Sequence, residues 1–534
     1  MTVIRWAGFL GENRAIHPKL LADGVGTVSL NQKPGRGDLR PWKAASSVAT
    51  IPSGRQTIYR MGRDIANAAQ YWCSWSSIVH AVRGSEAGDT AERTYFTGDG
   101  EPKVMDSLSL SASSPQTNPT VTRPLGIPRP TSAPTLTAYG GSSSNTELRY
   151  YGYTFVNDWG WEGQPSPLAS ITCKTDDSVT FNWSAMPPAG NYNISIARIY
   201  RSEVGVSGSS DLFFLRDVTV TAGTTTDDRR ALGDALETTD WQVPPADLSY
   251  LTAMWNGMLA GITGNAVRFC EPFAAYAWPQ TYEVLPPDGK PVALGVFGQS
   301  LLVLTTSRPL LVGGTSPDSL DQQPLAVSQA CIAPQSVASM GNGVAWACPD
   351  GLMFYGNGGA RLLTAGLMTR EDWQALAPSS VIGKFYEGLY FGSYDPGSGR
   401  KGFFIDTENP SGLFFFDAGY SVMHNDELLD DLFVLSGTSV QRWDSGSAMT
   451  VTAKSKVFRQ SRLVCFSCAK VIADTFPVTF KVYADGVLKH TQTVANEKPF
   501  RLPSGYLATA WQLELSGTNS IQGVSMATSI AELR

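Results

Sequence analysis

Five loop-and-strand units recur along the second half of this 534-residue chain, and their spacing constrains the fold more than any single motif does. They begin at Asn256 (NGMLAGITGNAVRF), Gly298 (GQSLLVLTTSRPLLV), Asn342 (NGVAWACPDGLMFYGNGGARLL), Glu387 (EGLYFGSYDPGSGRKGFFI) and Asp430 (DDLFVLSGTSVQRW). Successive starts lie 42, 44, 45 and 43 residues apart. Each unit holds a strand-like run, a turn containing Gly, Asp, Pro or Ser, and a second run. A period near 43 is about what one four-stranded blade of a β-propeller occupies. The expectation is an all-β fold, a β-propeller with blades over residues 246–450. Residues 46–106, with alternating runs at 56–60 (QTIYR), 77–83 (SIVHAVR) and 93–97 (RTYFT), add the first blade or blades. A ring that takes its first blade from the N-terminal side leaves no open sheet edge.

Around this repeat the composition shifts several times. Residues 1–45 mix Gly, Pro and charge with little periodicity and read as an extended N-terminal arm that needs a surface to lie on. Residues 107–134 hold Ser-Pro, Asn-Pro, Arg-Pro and Ile-Pro steps and read as a linker without a core. Residues 135–245 carry the period-2 runs YGYTFV (151–156), SVTFNW (178–183) and ISIARIYR (194–201). They read as an inserted immunoglobulin-like or fibronectin-like β-sandwich that folds autonomously. Residues 451–534 alternate again, in VTFKVY (478–483) and AWQLEL (510–515), and read as a C-terminal β-sandwich or barrel.

Charge and cysteine usage narrow the function classes. The chain has 41 Lys and Arg against 47 Asp and Glu, a net charge of −6, which argues against a basic surface that grips nucleic acid. No apolar run of about 18 residues occurs, so no stable membrane insertion is expected, and MTVIRW lacks the features of a secretion signal. Seven scattered cysteines fit synthesis in a reducing cytoplasm rather than a disulfide framework. The close pair Cys465 and Cys468 has opposite strand parity and no second pair, so these thiols read as structural and no metal is expected.

Catalytic constellations are sparse. Asp350, Asp372 and Asp395 fall near turns, where Asp ordinarily caps the backbone. No Gly-x-Ser-x-Gly elbow, phosphate-binding loop or His-Glu-x-x-His occurs, and only four histidines are present. No catalytic residue, cofactor or enzymatic activity is expected. The pair Trp159 and Trp161 reads as packing rather than a sugar platform, and Leu413 to Phe416 as a buried strand. Arg36-Gly37-Asp38 has the form of an adhesion tripeptide, but it sits inside a longer element, Gly37, Asp38, Leu39, Arg40, Pro41 and Trp42, where the arm meets the first strand.

That element, together with 89–104 (DTAERTYFTGDGEPKV), 153–167 (YTFVNDWGWEGQPSP), 255–261 (WNGMLAG), Glu271-Pro272, 277–279 (AWP), 328–331 (SQAC), 349–352 (PDGL), 358–361 (GGAR) and 369–373 (TREDW), resembles the tail nozzle (tail tube or hub) proteins of short-tailed bacteriophages. The resemblance runs in order over most of the chain. It implies a structural virion protein, made in the bacterial host cytoplasm and located in the phage tail. Its copies would form a homo-hexameric ring below a tail adaptor protein, and DNA would pass through the ring without specific binding during ejection. Tail fibres or spikes would dock on its outer modules. Gly37, Asp38, Arg40, Pro41 and Trp42 are then a structural motif. Two other readings stay open: a carbohydrate-binding tail adhesin using the Trp-rich insert, and a glycan-cleaving propeller enzyme.

Overall fold

The computed structural model describes residues 3–61, 67–110, 115–203 and 211–533, with 47% strand and 5% helix. The chain is all-β. The one α-helix among the described residues, Arg370–Ala375, is short and capped by Thr369, whose Oγ1 accepts a hydrogen bond from the Asp372 N–H (3.1 Å).

The repeat units appear as small antiparallel sheets whose strands follow one another in chain order. Residues 249–284, 291–324, 338–362 and 382–416 supply four strands each. Every repeat start marks the turn between the first and second strand of its sheet. The backbone is left-handed there, with φ of 77° at Gly257, 51° at Gly298, 59° at Gly341, 80° at Gly388 and 53° at Asp430. Glycine supplies that conformation without steric cost, and Asp tolerates it. Second strands such as Ser300–Thr305 bury nearly every side chain, because each sheet is covered on both faces by its neighbours.

A fifth sheet takes Met423–Asp426, Asp431–Ser436 and Ser439–Arg442 from this region and completes itself with Ser46–Thr50. That N-terminal strand pairs antiparallel, Thr50 opposite Ser439 and Ser46 opposite Arg442. Two further sheets come from the N-terminal side. One has Thr57–Arg60, Trp72–Trp75 and, running parallel, Gln116–Thr117; the other has His80–Arg83, Thr94–Thr97, Lys103–Met105 and Arg123–Pro124. First strands lie beside first strands in the order 80–83, 249–253, 291–297, 338–339, 382–386, 423–426 and 57–60. Between 57–60 and 80–83, the Val79 N–H donates to Thr57 Oγ1 (2.9 Å). Tyr59, Met61, Val79 and Ala81 share a core there with Trp75 and Phe96.

The structure departs from the sequence reading in three places. The expected arm, 1–45, is folded onto its own chain. Val3–Ala7 alternates inward and outward, and its inward Ile4 and Trp6 require cover. The strand pairs with Ile521–Ala527, and both residues enter the core of a C-terminal two-sheet unit with Phe480, Trp511 and Leu513. Gly26–Leu30 lies between Phe414–Phe416 and Val451–Ser455, so it joins the sheet of 382–416 to the C-terminal strands in one ten-stranded sheet.

The expected linker, 107–134, also carries core: Leu110, Leu125 and Ile127 are buried. Its short strands take sheet edges, where a proline lacking an N–H costs no ladder bond. Third, the insert folds as two facing sheets, 135–139 with 178–182 and 224–227, against 146–157 with 169–174, 194–202 and 212–219. Its core is not separate from the rest. Tyr153, Phe155, Phe181 and Trp183 belong to one apolar cluster with Tyr95, Val104, Met258, Phe269 and Leu301. At the junction Trp161 stacks on Tyr276 (4.7 Å between centroids, 16° between planes).

Because Trp6 is 3% exposed and anchors the first strand in the C-terminal core, Trp6→Ala is expected to destabilise the protein by about 3–5 kcal/mol. Urea unfolding followed by tryptophan fluorescence measures this, and an unchanged midpoint would show that residues 3–7 carry no stability.

Candidate functional site

The first strands of the small sheets converge on a cavity of about 550 Å³. It is lined by Tyr59 and Arg60, by Ala81 to Arg83, by Leu251 to Ala253, and by the single residues Val296, Ser339 and Lys384 from three further sheets, with His424 to Leu428 closing one side. A smaller adjoining cavity of about 350 Å³ shares Ser339, Lys384, Asn425, Asp426 and Glu427 and opens past Glu387, Asp430 and Asp431. These residues meet because the first strands lie side by side and each contributes residues a few positions before its first hairpin turn.

The charges around the cavity differ in how they are held. Arg60 and Asp426 form an ion pair at 2.8 Å with side chains only 0% and 3% exposed. Arg60 Nη2 also donates to the Asn67 carbonyl (3.0 Å), and Asp426 Oδ1 accepts from the Leu428 and Leu429 N–H groups (3.0 and 3.2 Å). That pair fixes the turn after Met423–Asp426. Arg83 reaches outward to Glu92 (3.4 Å). His424 Nε2 accepts from the Arg60 N–H (3.3 Å), and His80 lies against Tyr250 with centroids 4.1 Å apart. Burial pushes the His80 pKa down to about 4 and lowers that of His424 as well, with the charge of Lys384 acting in the same direction on both. Burial also lowers the Lys384 pKa, while the half-buried side chain opens onto both cavities. Chemically this is a polar, partly enclosed cleft in which Arg60, Arg83 and Lys384 face Asp426 and Glu427, with the neutral imidazole of His424 on one wall. None of it was singled out from the sequence. The usable signal was positional: Lys384 stands three residues before the Glu387 repeat start.

The residues that were singled out lie elsewhere. Gly37 to Trp42 bridges three units of the fold. The Gly37 carbonyl accepts from the Phe9 N–H (2.8 Å), and Asp38 Oδ2 accepts from the Ser520 hydroxyl (2.6 Å). Leu39 exchanges backbone bonds with Ile521, and Arg40 Nη2 donates to the Pro34 carbonyl (2.9 Å). Arg40–Pro41 pairs with Gln32–Lys33. Trp42 is fully buried, stacked on Phe404 (4.7 Å) and capped by the Lys33 ammonium 4.3 Å above its ring. With Asp38 held by Ser520, the tripeptide from Arg36 to Asp38 is part of a structural junction.

The three turn acids are engaged locally. Asp350 Oδ2 accepts from Gln329 Nε2 (2.6 Å), Asp372 Oδ2 from the Thr369 hydroxyl (2.8 Å), and Asp395 Oδ1 from the Gly397 N–H (2.9 Å). Trp161 is buried, and the face of Trp159 is covered by the Arg123 guanidinium, 3.8 Å from the ring centroid. Phe414–Phe416 is a fully buried strand. Cys468 is buried and Cys465 half-buried.

No family model matches the chain, and no curated protein does. Among solved structures it is similar to the AfRom2 CNH domain, at 9% identity over 71% of this chain and 98% of that one, with a TM-score of 0.24. It is also similar to the extracellular domain of a putative one-component system from B. thetaiotaomicron, at 8% identity over 94% of this chain and 62% of that one, TM-score 0.27. A third is PorZ of the Porphyromonas gingivalis type-IX secretion system, at 11% identity, 84% and 77% coverage and TM-score 0.24. Likenesses at these scores carry no argument about function.

Two outcomes are expected of the cavity. Asp426→Asn leaves the Arg60 charge buried beside a neutral group, and loss of about 3–5 kcal/mol in denaturant unfolding is the result; a loss below about 1 kcal/mol would place the pair in water rather than in the protein. The second concerns pH. His80 stays neutral in the folded state while the unfolded chain takes up a proton below about 6.5, so the unfolded state binds more protons between there and about pH 4. Folding stability therefore falls as pH drops through that window, by up to roughly 3 kcal/mol. In His80→Gln the melting temperature should fall less between pH 7 and pH 5 than in the wild-type protein.

Proposed function

We propose that the seven small sheets are the blades of a β-propeller closed by Ser46–Thr50, and that the chain is one subunit of a homo-hexameric ring, the nozzle of a short-tailed phage tail through which the genome leaves. Support for the propeller is the side-by-side order of first strands, from 80–83 round to 57–60, with the closing strand contributed by the opposite end of the repeat region. The observation that carries the functional reading is where the family-like stretches fall. Gly37 to Trp42 ties the N-terminal segment to the C-terminal unit, Trp159 to Trp161 seats the insert, Trp255 to Gly261 contains the first hairpin turn of its sheet, and Thr369 to Trp373 caps and anchors the short helix. They specify a framework.

In that role the work is mechanical. A closed ring of blades leaves only short outer sheet edges and ties the first repeat to the last, and the insert shares core and the C-terminal unit a sheet with it, which suits them as docking faces for adaptor, fibres or spikes. A polyanion passing a lumen meets least friction where phosphate contacts are few, and the net charge of −6 fits a neutral to acidic wall. The adhesin alternative is less well supported, because Trp159 and Trp161 are covered and offer no open aromatic platform. Electron microscopy of the protein with its neighbouring tail components is expected to show rings with a central hole, and double-stranded DNA at low salt is expected to remain unbound. Monomers throughout, or DNA binding that weakens steeply with added salt, would overturn the conduit.

A further inference from the structure

We propose that the free pole of the C-terminal unit is a docking surface for an anionic lipid bilayer, its aliphatic side chains entering the interface while Arg459, Arg462, Lys489 and Arg501 meet the headgroup phosphates.

Six large apolar side chains of residues 451–534 are exposed among the described residues, and five of them, Leu463, Val487, Leu488, Leu507 and Ile530, are 46–61% exposed at one end of the unit. The strand register brings them there. Phe458 faces Trp511 and Val464 faces Ala508, so residues 460–463 bulge out of that pairing. The hairpin turn before Val487 lies beside the same strand, the Asp485 N–H donating to the Ala510 carbonyl (2.8 Å). The Leu502 N–H donates to the Ser467 carbonyl (2.8 Å) and the Ser467 N–H to that of Ala527 (3.1 Å), which places the loop carrying Leu507 and the segment carrying Ile530 at this end too. Leu39 meets Ile521 at the other end of the 521–527 strand, about 20 Å away, so the apolar pole points away from that junction. Single exposed leucines are ordinary, but several gathered at one pole mark an interaction surface.

Charge identifies the occupant. Residues 451–534 hold ten Lys and Arg against five Asp and Glu, while the rest of the chain holds 31 against 42. The unit is a basic module on an acidic protein. Its ion pairs use Lys456, Lys470 and Lys481. Arg459, Arg462, Lys489 and Arg501 are exposed and make no ion pair among the described residues; Arg459 stands opposite Ala510 and Arg501 opposite Cys468, at or beside the pole. The acids there are engaged locally, Asp485 Oδ1 accepting from the Ala510 N–H (3.0 Å) and Glu532 Oε2 from the Thr528 hydroxyl (3.3 Å).

Aliphatic side chains on a bulge, a turn and two loops, flanked by unpaired cations, match a bilayer interface, where hydrocarbon lies directly beneath a layer of phosphate. A protein partner is ordinarily met by a surface richer in Tyr, Trp and Met and poorer in Lys. The contact is peripheral and reversible, since no described helix is long and apolar enough to cross a membrane. It goes beyond the ring reading and does not rest on it, because one subunit carries the whole surface.

Flotation of the full-length protein with vesicles tests this, comparing phosphatidylcholine alone with an equal mixture of phosphatidylcholine and phosphatidylglycerol at about 0.1 M salt. Binding to the anionic vesicles about tenfold or more above the neutral ones, falling as salt is raised, is the expected result. Arg462→Glu and Lys489→Glu should each weaken it about fivefold or more, and Leu463→Ser combined with Leu507→Ser about tenfold. All four positions are exposed, so the melting temperature should hold, and Ile472→Ser, away from the pole, should leave binding unchanged. Equal recovery with both vesicle types, or undiminished binding in the Leu463→Ser, Leu507→Ser variant, would overturn the site. Self-association without vesicles that the same variants abolish would assign the pole to a contact between protein subunits and overturn it as well.

Discussion

The fold depends on antiparallel hydrogen bonding between residues that are some 390 positions apart. Ser46–Thr50 supplies the fourth strand of the sheet made by 423–442; without it, Ser439–Arg442 would present an open edge and the neighbouring sheet at 57–117 would lose the apolar surface formed by Ile51, Val422, Phe433 and Val440. The same segment continues through Trp42 into an aromatic cluster with Phe391, Phe404, Phe416 and Trp443. One stretch of chain therefore fixes a sheet edge, an intersheet core and, through Gly37 to Leu39, the position of the C-terminal unit.

The cavity charges show two solutions to one problem. Arg60 and Asp426 are desolvated together and satisfy one another, and the Asn67 carbonyl and the Leu428 and Leu429 N–H groups add hydrogen bonds that help the buried pair hold its place. Lys384, only half-buried, faces the cavity without an ion pair among the described residues. The contrast within one cavity separates charge that organises the turn from charge that is left available.

The repeat was legible because turn geometry demands particular residues. Gly257, Gly298, Gly341 and Gly388 stand where φ is positive, and that requirement repeats with the sheets. The alternation of Tyr151, Tyr153 and Phe155 likewise displayed the core face of the insert's longest strand. What composition concealed was long-range company. Val3–Ala7 is too short and too mixed to announce a strand, and only its partner at 521–527 makes it one. The proline-rich stretch at 107–134 lacks periodicity because edge strands of two residues have none to show. Cavity residues were hidden for a related reason: Lys384, Asn425 and Arg60 come from three separate sheets, and their meeting is a property of how sheets pack rather than of any local pattern.

Pairing the beginning of the chain with its end also imposes an order in time. At roughly 5–20 residues per second, synthesis of this chain takes on the order of a minute, and Ser46–Thr50 leaves the ribosome long before Ser439–Arg442 exists. Ile4, Trp6 and Trp42 spend that interval without the surfaces that later bury them. The four consecutive sheets from 249 to 416 can form as they emerge, but residues 3–50 must wait, exposed, for their partners at 439–442 and 521–527, so the slowest and most aggregation-prone stage belongs to strands made long before the ones that pair with them.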